Sequence, residues 1–421
     1  MLTRRQLLAA ALASPLALPA LGALFPAGGS LSTQGGLRFI YVLAPGGWDT
    51  TRVFMPQFGQ DLVDMEADAT SAQIGGISFV DHPDRPSVRA FFQAWGARSL
   101  VLNGMLVPSV AHRACMRLLL TGSIADGQPD WPALVAAAST DWTIPHLVLD
   151  GPAFPGPYGG SVVRTGSGGQ LAGLLDGSIV DRVTPSAGRL SPELLALVDQ
   201  RARDRASAAL ERATTTRDQG LAAAHADALG RALALTSVAP DLPWDTGGTF
   251  DGQVDLAVAA LARGLCRSCG LTFATERDWD SHYLNDERQS PLYESLFAGL
   301  DRLVGLLDTT LDPDGAPLSQ RTLIVVLSEM GRTPLLNGSK GKDHWPYTSA
   351  LLVGTGVTGD RVVGGLDEGS AGLYMDPSTG ELDAKGIEVS TVHLGATLLT
   401  LAGVDPSELL SDIDPLLGLL S

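Results

Sequence analysis

The sequence predicts an α/β fold: a mostly parallel central sheet with helices on both faces. Three observations carry that prediction. Short, wholly apolar runs, such as residues 37–44 (LRFIYVLA) and 322–327 (TLIVVL), read as strands buried on both sides. Other segments space their apolar residues with helical period. The two kinds of segment alternate along the chain, as they do where crossover helices join parallel strands.

In order, residues 37–44 form the first strand and end at Pro45-Gly46-Gly47, a loop signal. Residues 86–95 read as a helix, with Pro86 in the first turn where its missing N–H is not needed. A second strand is expected at 99–103 and a helix at 109–120, stopped by Gly122. Residues 146–149 read as a strand, and 151–187, rich in Gly, Ser and Pro, as loop. From 191 to about 237 the pattern is helical, with Pro192 at its start and Pro240 beyond its end, so residues 190–240 read as a helical insertion. A helix follows from 254, running through 264 toward Cys269, then a strand at 271–274. Residues 290–307 place Leu292, Leu296, Leu300, Leu303 and Leu307 near helical spacing. The run 322–327 is the clearest buried strand, and 350–353 reads as another. Pro377-Ser378-Thr379-Gly380 signals a hairpin, and 389–401 a closing helix ended by Gly403. In such open sheets, ligands sit beyond the carboxyl ends of the strands.

The chain has 421 residues, 45% of them hydrophobic, which argues against disorder. At about 100–200 residues per domain two or three domains are possible, but one large α/β domain also fits, and residues 31–421 are read that way. With 46 acidic against 29 basic residues the net charge is −17, which argues against a nucleic-acid partner. Three cysteines are too few for a disulfide scaffold. Cys266-Arg-Ser-Cys269 is weak as a zinc motif without a second pair and reads as a local pair or two buried thiols.

Residues 1–30 read as an address. Thr3-Arg4-Arg5-Gln6-Leu7-Leu8 precedes an Ala/Leu run, a charged region followed by an apolar one. The Thr-Arg-Arg-x-Leu-Leu order resembles a twin-arginine export signal, so an exported, periplasmic or extracellular protein is expected. An N-terminal membrane anchor is the other reading; Pro15, Pro19 and Gly22 disfavour a straight spanning helix. After Gly36 there is no further apolar run of about 18 residues or more, so no membrane span is expected in the mature chain.

Three polar clusters follow apolar strands. Asp49, in Gly46-Gly47-Trp48-Asp49-Thr50, offers a hard oxygen beside a glycine pair that admits a close ligand; it also suits a helix cap. Asp280 and His282, in Asp278-Trp279-Asp280-Ser281-His282, lie two apart, so an extended chain turns both to one side; a solvated loop is the other reading. Glu329 leaves the 322–327 strand directly, where a carboxylate is costly unless paired or bound. A salt bridge from Glu329 to Arg332 or Lys342 would satisfy it; so would a metal ion shared with Asp343 and His344. His112, on the 109–120 helix, is a further imidazole candidate, whereas His82, His146, His225 and His393 have no acidic cluster beside them. Asp49, Asp280, His282, Glu329, Asp343 and His344 suffice for one or two divalent ions, with zinc, manganese, calcium and iron all open. Two close ions would activate an oxygen nucleophile and stabilise charge on a phosphoryl or sulfuryl group.

The twin-arginine leader, GGWD, an HRAxxxxxxTG helix, DWDSHY and SEMGRTPLLNGSKGKDHW occur in that order. This series resembles the bacterial exported family called domain of unknown function 1501, which is placed in the alkaline phosphatase and sulfatase superfamily. The ending TVHLGATLLTLAGV is similar to the last helix of sulfatase-like enzymes. The resemblance implies an alkaline phosphatase-like fold and a metal site. Asp49 matches the acid after the first strand, Asp280 and His282 the later pair, and His344 with Asp343 the last element. Glu329 stands where an Asp is usual, and Met330 replaces the adjoining His. Relatives often carry Arg-Ser-His where this chain has Val110-Ala111-His112. Ser109, Thr50 or a metal-bound water are then the open choices of nucleophile, and Arg332 and His112 the groups to steady the anion and serve it. Two functions are expected from this reading. One is a metal-dependent hydrolase of phosphate or sulfate esters, small or polysaccharide. The other is a non-catalytic envelope binding or assembly protein that keeps the fold.

Overall fold

The computed structural model describes residues 36–139, 142–166, 170–176, 190–238, 241–407 and 409–421. The expected export signal lies outside them. Eight strands form the central sheet: β1 Arg38–Leu43, β2 Ser99–Leu106, β3 Ile144–Val148, β4 Val162–Arg164, β5 Cys266–Thr272, β6 Thr322–Leu327, β7 Tyr347–Gly354 and β8 Arg361–Gly364. Their order across the sheet is β8-β2-β7-β6-β1-β5-β3-β4. All run parallel except β7, which pairs antiparallel with both β2 and β6.

The central strands are apolar throughout because both faces are covered. Along β1, Ile40 and Val42 point to one side, and Phe39, Tyr41 and Leu43 to the other. The first side packs on α1 Pro86–Trp95, α7 Phe250–Ala262 and α9 Asn285–Thr309. The second packs on α2 His112–Thr121, α3 Trp131–Ala137 and α10 Thr391–Leu401. Between them in the chain lie α4 Gln170–Asp176, α5 Pro192–Arg212, α6 Thr216–Val238 and α8 Glu276–Trp279. Helices α5 and α6 pack on each other, and Ala228, Ala232 and Leu235 of α6 reach the first core. Among the described residues no helix is long and apolar enough to cross a membrane.

The α/β expectation is met; several boundaries move. The helix expected at 109–120 starts at His112, so Ser109 lies before it. Cys266 and Cys269 sit in β5, not on the end of a helix, because α7 stops at Ala262 and Gly264 takes φ 62°. Both thiols are buried, with Sγ atoms 3.4 Å apart. The stretch read as loop contains β4 and α4.

Candidate metal centre

The direction of β7 decides where the site forms. Parallel strands β1, β2, β5 and β6 all deliver their carboxyl ends to one rim. Antiparallel β7 begins at that same rim, so the segment before it, with Asp343 and His344, arrives there too. A two-residue ladder, Gly331–Arg332 against His344–Trp345, sets His344 opposite Arg332.

The loop after β1 is built on glycine. Gly46 and Gly47 take φ 121° and 79°, and a Cβ on Gly47 would lie 2.7 Å from Met330 Cγ. The Gly46 N–H donates to both Glu329 carboxylate oxygens, at 2.8 and 3.0 Å. Arg332 donates from Nε to Gly47 O at 2.8 Å, from Nη1 to Lys342 O at 3.1 Å, and from Nη2 to Gly46 O and to Asp280 Oδ1, the last at 2.7 Å. Arg332 is therefore a buried brace between three segments, each of its three nitrogens donating to one or more of them.

Around Asp280 Oδ1 stand three imidazole Nε2 atoms: His282 at 3.2 Å, His344 at 3.2 Å and His112 at 3.5 Å. Each ring is held from behind. His112 Nδ1 is 2.8 Å from Glu329 Oε1, His282 Nδ1 is 2.8 Å from Asp343 Oδ1, and His344 Nδ1 is 2.6 Å from Val110 O. Ionised carboxylates and carbonyls only accept, so each Nδ1 carries a proton, and Nε2 is the ring atom turned inward. The Nε2 atoms of His282 and His344 face each other at 3.0 Å. His112 Nε2 is buried with no hydrogen-bond partner. Ring nitrogens this close to one another and to a carboxylate call for positive charge among them, from a proton or a metal ion. His112, Asp280 and His344 form a group able to hold a single divalent ion, their ligand atoms all within 4.8 Å of one another. His282 adjoins it. Nitrogen and oxygen donors of this kind suit zinc, manganese or iron.

The charges agree with that reading. Burial raises the Asp280 carboxyl, but the Arg332 guanidinium outweighs it and holds the group below its usual range. Burial works against a charged His112, yet the hydrogen bond and charge of Glu329 carry its pKa above the ordinary value. The pocket thus favours positive charge.

The family described as "Protein of unknown function (DUF1501)" matches residues 101–414, about three quarters of the chain. The chain belongs to this family. The matched span contains all three imidazoles and Asp280, but not Asp49. No curated protein matches the chain. Among solved structures it is similar to a protein in the alkaline phosphatase superfamily from Vibrio parahaemolyticus, at 10% identity and TM-score 0.34, over 95% of this chain and 75% of that one. It is also similar to a Pseudoalteromonas sp. sulfatase, at 12% identity and TM-score 0.41, over 92% and 73% of the two chains. A phosphonate monoester hydrolase from Silicibacter pomeroyi is a third, at 11% identity and TM-score 0.38, over 90% and 75%.

Within this family member, the residues singled out from sequence divide into three groups. Asp280, His282 and His344 do converge, and His112 joins them in the group able to hold an ion. Glu329 and Asp343 come to the centre one step removed, behind His112 and His282. Glu329 pairs with neither Arg332 nor Lys342, the two partners its sequence suggested. Asp49 stands apart from the group. Its carboxylate is buried, 2.9 Å from Lys342 Nζ and 3.4 Å from Arg52 Nη1, and it accepts from Asn285 Nδ2 at 2.9 Å and Thr51 Oγ1 at 2.7 Å. An internal ammonium and guanidinium thus balance Asp49, and the converging donors account for one ion, not two. Ser109 Oγ accepts from the Ala111 N–H at 3.3 Å, and α2 opens on Ala111 without a side-chain cap.

Asn285 and Gln289 were missed. Gln289 Nε2 donates to Gly47 O, Trp279 O and Ser281 Oγ, while its Oε1 accepts from the Asp49 N–H, so one amide ties the loops after β1 and β5 together. A signal existed: positions 285, 289, 293, 296 and 300 form one helical stripe that turns polar toward the rim.

Glu329→Gln keeps an acceptor for Gly46 but removes the charge behind His112. It is expected to weaken metal binding by about 10–100-fold while the fold holds. Competition against a chromophoric chelator measures this, and an unchanged affinity would contradict the role given to Glu329.

Proposed function

We propose that the chain is an exported, metal-dependent hydrolase of phosphate or sulfate esters. The observation that carries this is the convergence of three anchored Nε2 atoms and one carboxylate oxygen at a half-buried rim open to solvent. A divalent ion held there would supply Lewis-acid polarisation of an ester oxygen. The chain's own groups do the rest. Glu329 and Asp343 fix the Nδ1 protons, and Arg332 holds Asp280 in place. The exported location rests on the Arg4-Arg5 leader.

A binding protein that holds an ion without turnover is the second reading. It is favoured by Ala111 at the start of α2, which offers no nucleophile. Metal analysis of purified protein, followed by aryl phosphates and aryl sulfates, separates the two. The hydrolase reading expects metal-dependent turnover that is lost in His344→Ala and unchanged in Ser109→Ala. Metal-loaded protein inert toward both ester classes would favour the binder. Loss of turnover in Ser109→Ala with metal retained would restore a serine nucleophile.

A further inference from the structure

One strand away from the metal centre, on the same rim, lies a cavity of about 530 Å³ that the hydrolase reading does not use. It opens at the carboxyl ends of β3 and β4, on the far side of β5 from β1, and its walls include Asp150, Arg164, Thr165, Trp244, Asp245 and Gln253. We infer that this cavity binds a short stretch of neutral or amino-substituted oligosaccharide.

Its walls are fixed before any ligand arrives. Buried Gln253 clamps the backbone of Thr272 at the end of β5, donating to Thr272 O at 3.1 Å and accepting from Thr272 N at 2.9 Å. Thr165 Oγ1 donates to Leu149 O at 2.9 Å. Arg164 Nη2 donates to Gly151 O at 2.5 Å, which holds the guanidinium beside the opening. Asp245 accepts from the Gly247 N–H at 3.0 Å, shaping a turn in which Gly247 and Gly248 take φ 58° and 68°. Among the described residues nothing lies within 4 Å of where either glycine's Cβ would stand, and the positive φ is what favours glycine at both positions. They present backbone to the cavity.

The chemistry selects the ligand. The volume falls in the usual range of about 300–1,000 Å³ for small-ligand sites. Trp244, half-buried, supplies an apolar ring beside Val148 and Leu149, and the other walls are carboxylate, guanidinium, hydroxyl, amide and backbone. A purely apolar ligand would leave those polar groups without partners. A phosphate-rich ligand would meet two carboxylates, Asp150 and Asp245, against the single Arg164. A sugar ring carries both what the indole needs, an apolar C–H face, and what the rest needs, adjacent hydroxyls that donate to carboxylates and accept from a guanidinium. Amino sugars would gain further from the acidic pair.

The inference goes beyond the hydrolase reading and does not rest on it, and its test keeps the two apart. Cello-, chito- and malto-oligosaccharides of graded length are titrated calorimetrically into the full chain, once with divalent metal and once after chelation. At least one series should bind at a single class of sites, tightening with length until the cavity is filled, and chelation should leave the affinity unchanged. Trp244→Ala should weaken binding by roughly tenfold, the scale of one lost ring contact. Trp244 also packs against the core, so Asp150→Asn combined with Asp245→Asn, both at exposed positions, gives the second arm and should weaken binding without shifting the unfolding temperature. Failure of all three series to bind would overturn the inference. So would unchanged binding in the folded variants, or a lysine-rich peptide binding the cavity where the sugars do not. Binding lost on chelation would move the sugar to the metal centre and equally overturn it.

Discussion

Asp280→Asn yields a folded chain that no longer retains a divalent ion. The Oδ1 atom of Asp280 is the one point that all three Nε2 atoms approach, and it is the only anion among these four donors. An amide in its place keeps the shape and can still accept from Arg332 Nη2, so the brace at 2.7 Å survives. What is lost is the charge that binds the ion. Removing a supporting contact behind a ligand costs roughly 10–100-fold in affinity; removing the anionic ligand itself should cost more. Dialysis followed by elemental analysis reads the loss directly. Thermal unfolding reads it a second way: metal should raise the unfolding temperature of the parent and not of the variant, because an ion stabilises only the form that binds it. Asp280→Ala is a different experiment, since it leaves a buried guanidinium facing no carboxylate and also reports on stability.

The second large effect lies beside the centre. Lys342→Met should destabilise the fold by about 3–5 kcal/mol, the usual scale for removing one partner of a buried ion pair. Asp49 and Lys342 are fully buried, with 2.9 Å between Oδ2 and Nζ. Burial pulls the Lys342 ammonium down from its ordinary value, the Asp49 charge opposes this, and the ammonium remains the donor to Asp49 and Thr51. Burial alone would raise Asp49; Lys342 and Arg52 together hold it well below the usual carboxylate range. The sign for pH follows. A carboxyl depressed in the folded state contributes stability that is present above its unfolded value, about 3.9, and is lost as pH falls through the folded value. Stability should therefore fall steadily below about pH 4 in the parent. In the double variant Asp49→Asn, Lys342→Met this part of the acid slope should flatten, and the double variant should be more stable than Lys342→Met alone. Denaturant midpoints from pH 2 to 7 measure both; parallel slopes would contradict the pairing.

Much of this was readable in the chain. TLIVVL and LRFIYVLA read as strands covered on both sides, and the polar residues just past parallel strands fall on a common rim by topology. Asp280, His282 and His344 were found in that way. What could not be read was order within the rim. His112 points inward because α2 begins at it rather than at Ser109, a three-residue offset that periodicity does not resolve. Asp49 reads from the chain as a hard oxygen beside a glycine pair or as a cap; its contacts with Lys342 and Arg52 are set by tertiary packing, which the chain does not spell out. Glu329 carries no signal in the chain that it stands behind an imidazole rather than beside an ion. Cys266 and Cys269 were assigned to a helix because the apolar pattern of α7 runs on past Gly264, and only the left-handed turn there separates helix from strand.

One divalent ion is expected among His112, Asp280 and His344. Anomalous X-ray scattering from crystals grown with excess zinc or manganese tests it most directly. One strong peak per chain is expected, within ligand distance of the Nε2 atoms of His112 and His344 and of Asp280 Oδ1, with His282 on its edge. Absence of that peak at saturating metal, or a peak at Asp49 in its place, would contradict it.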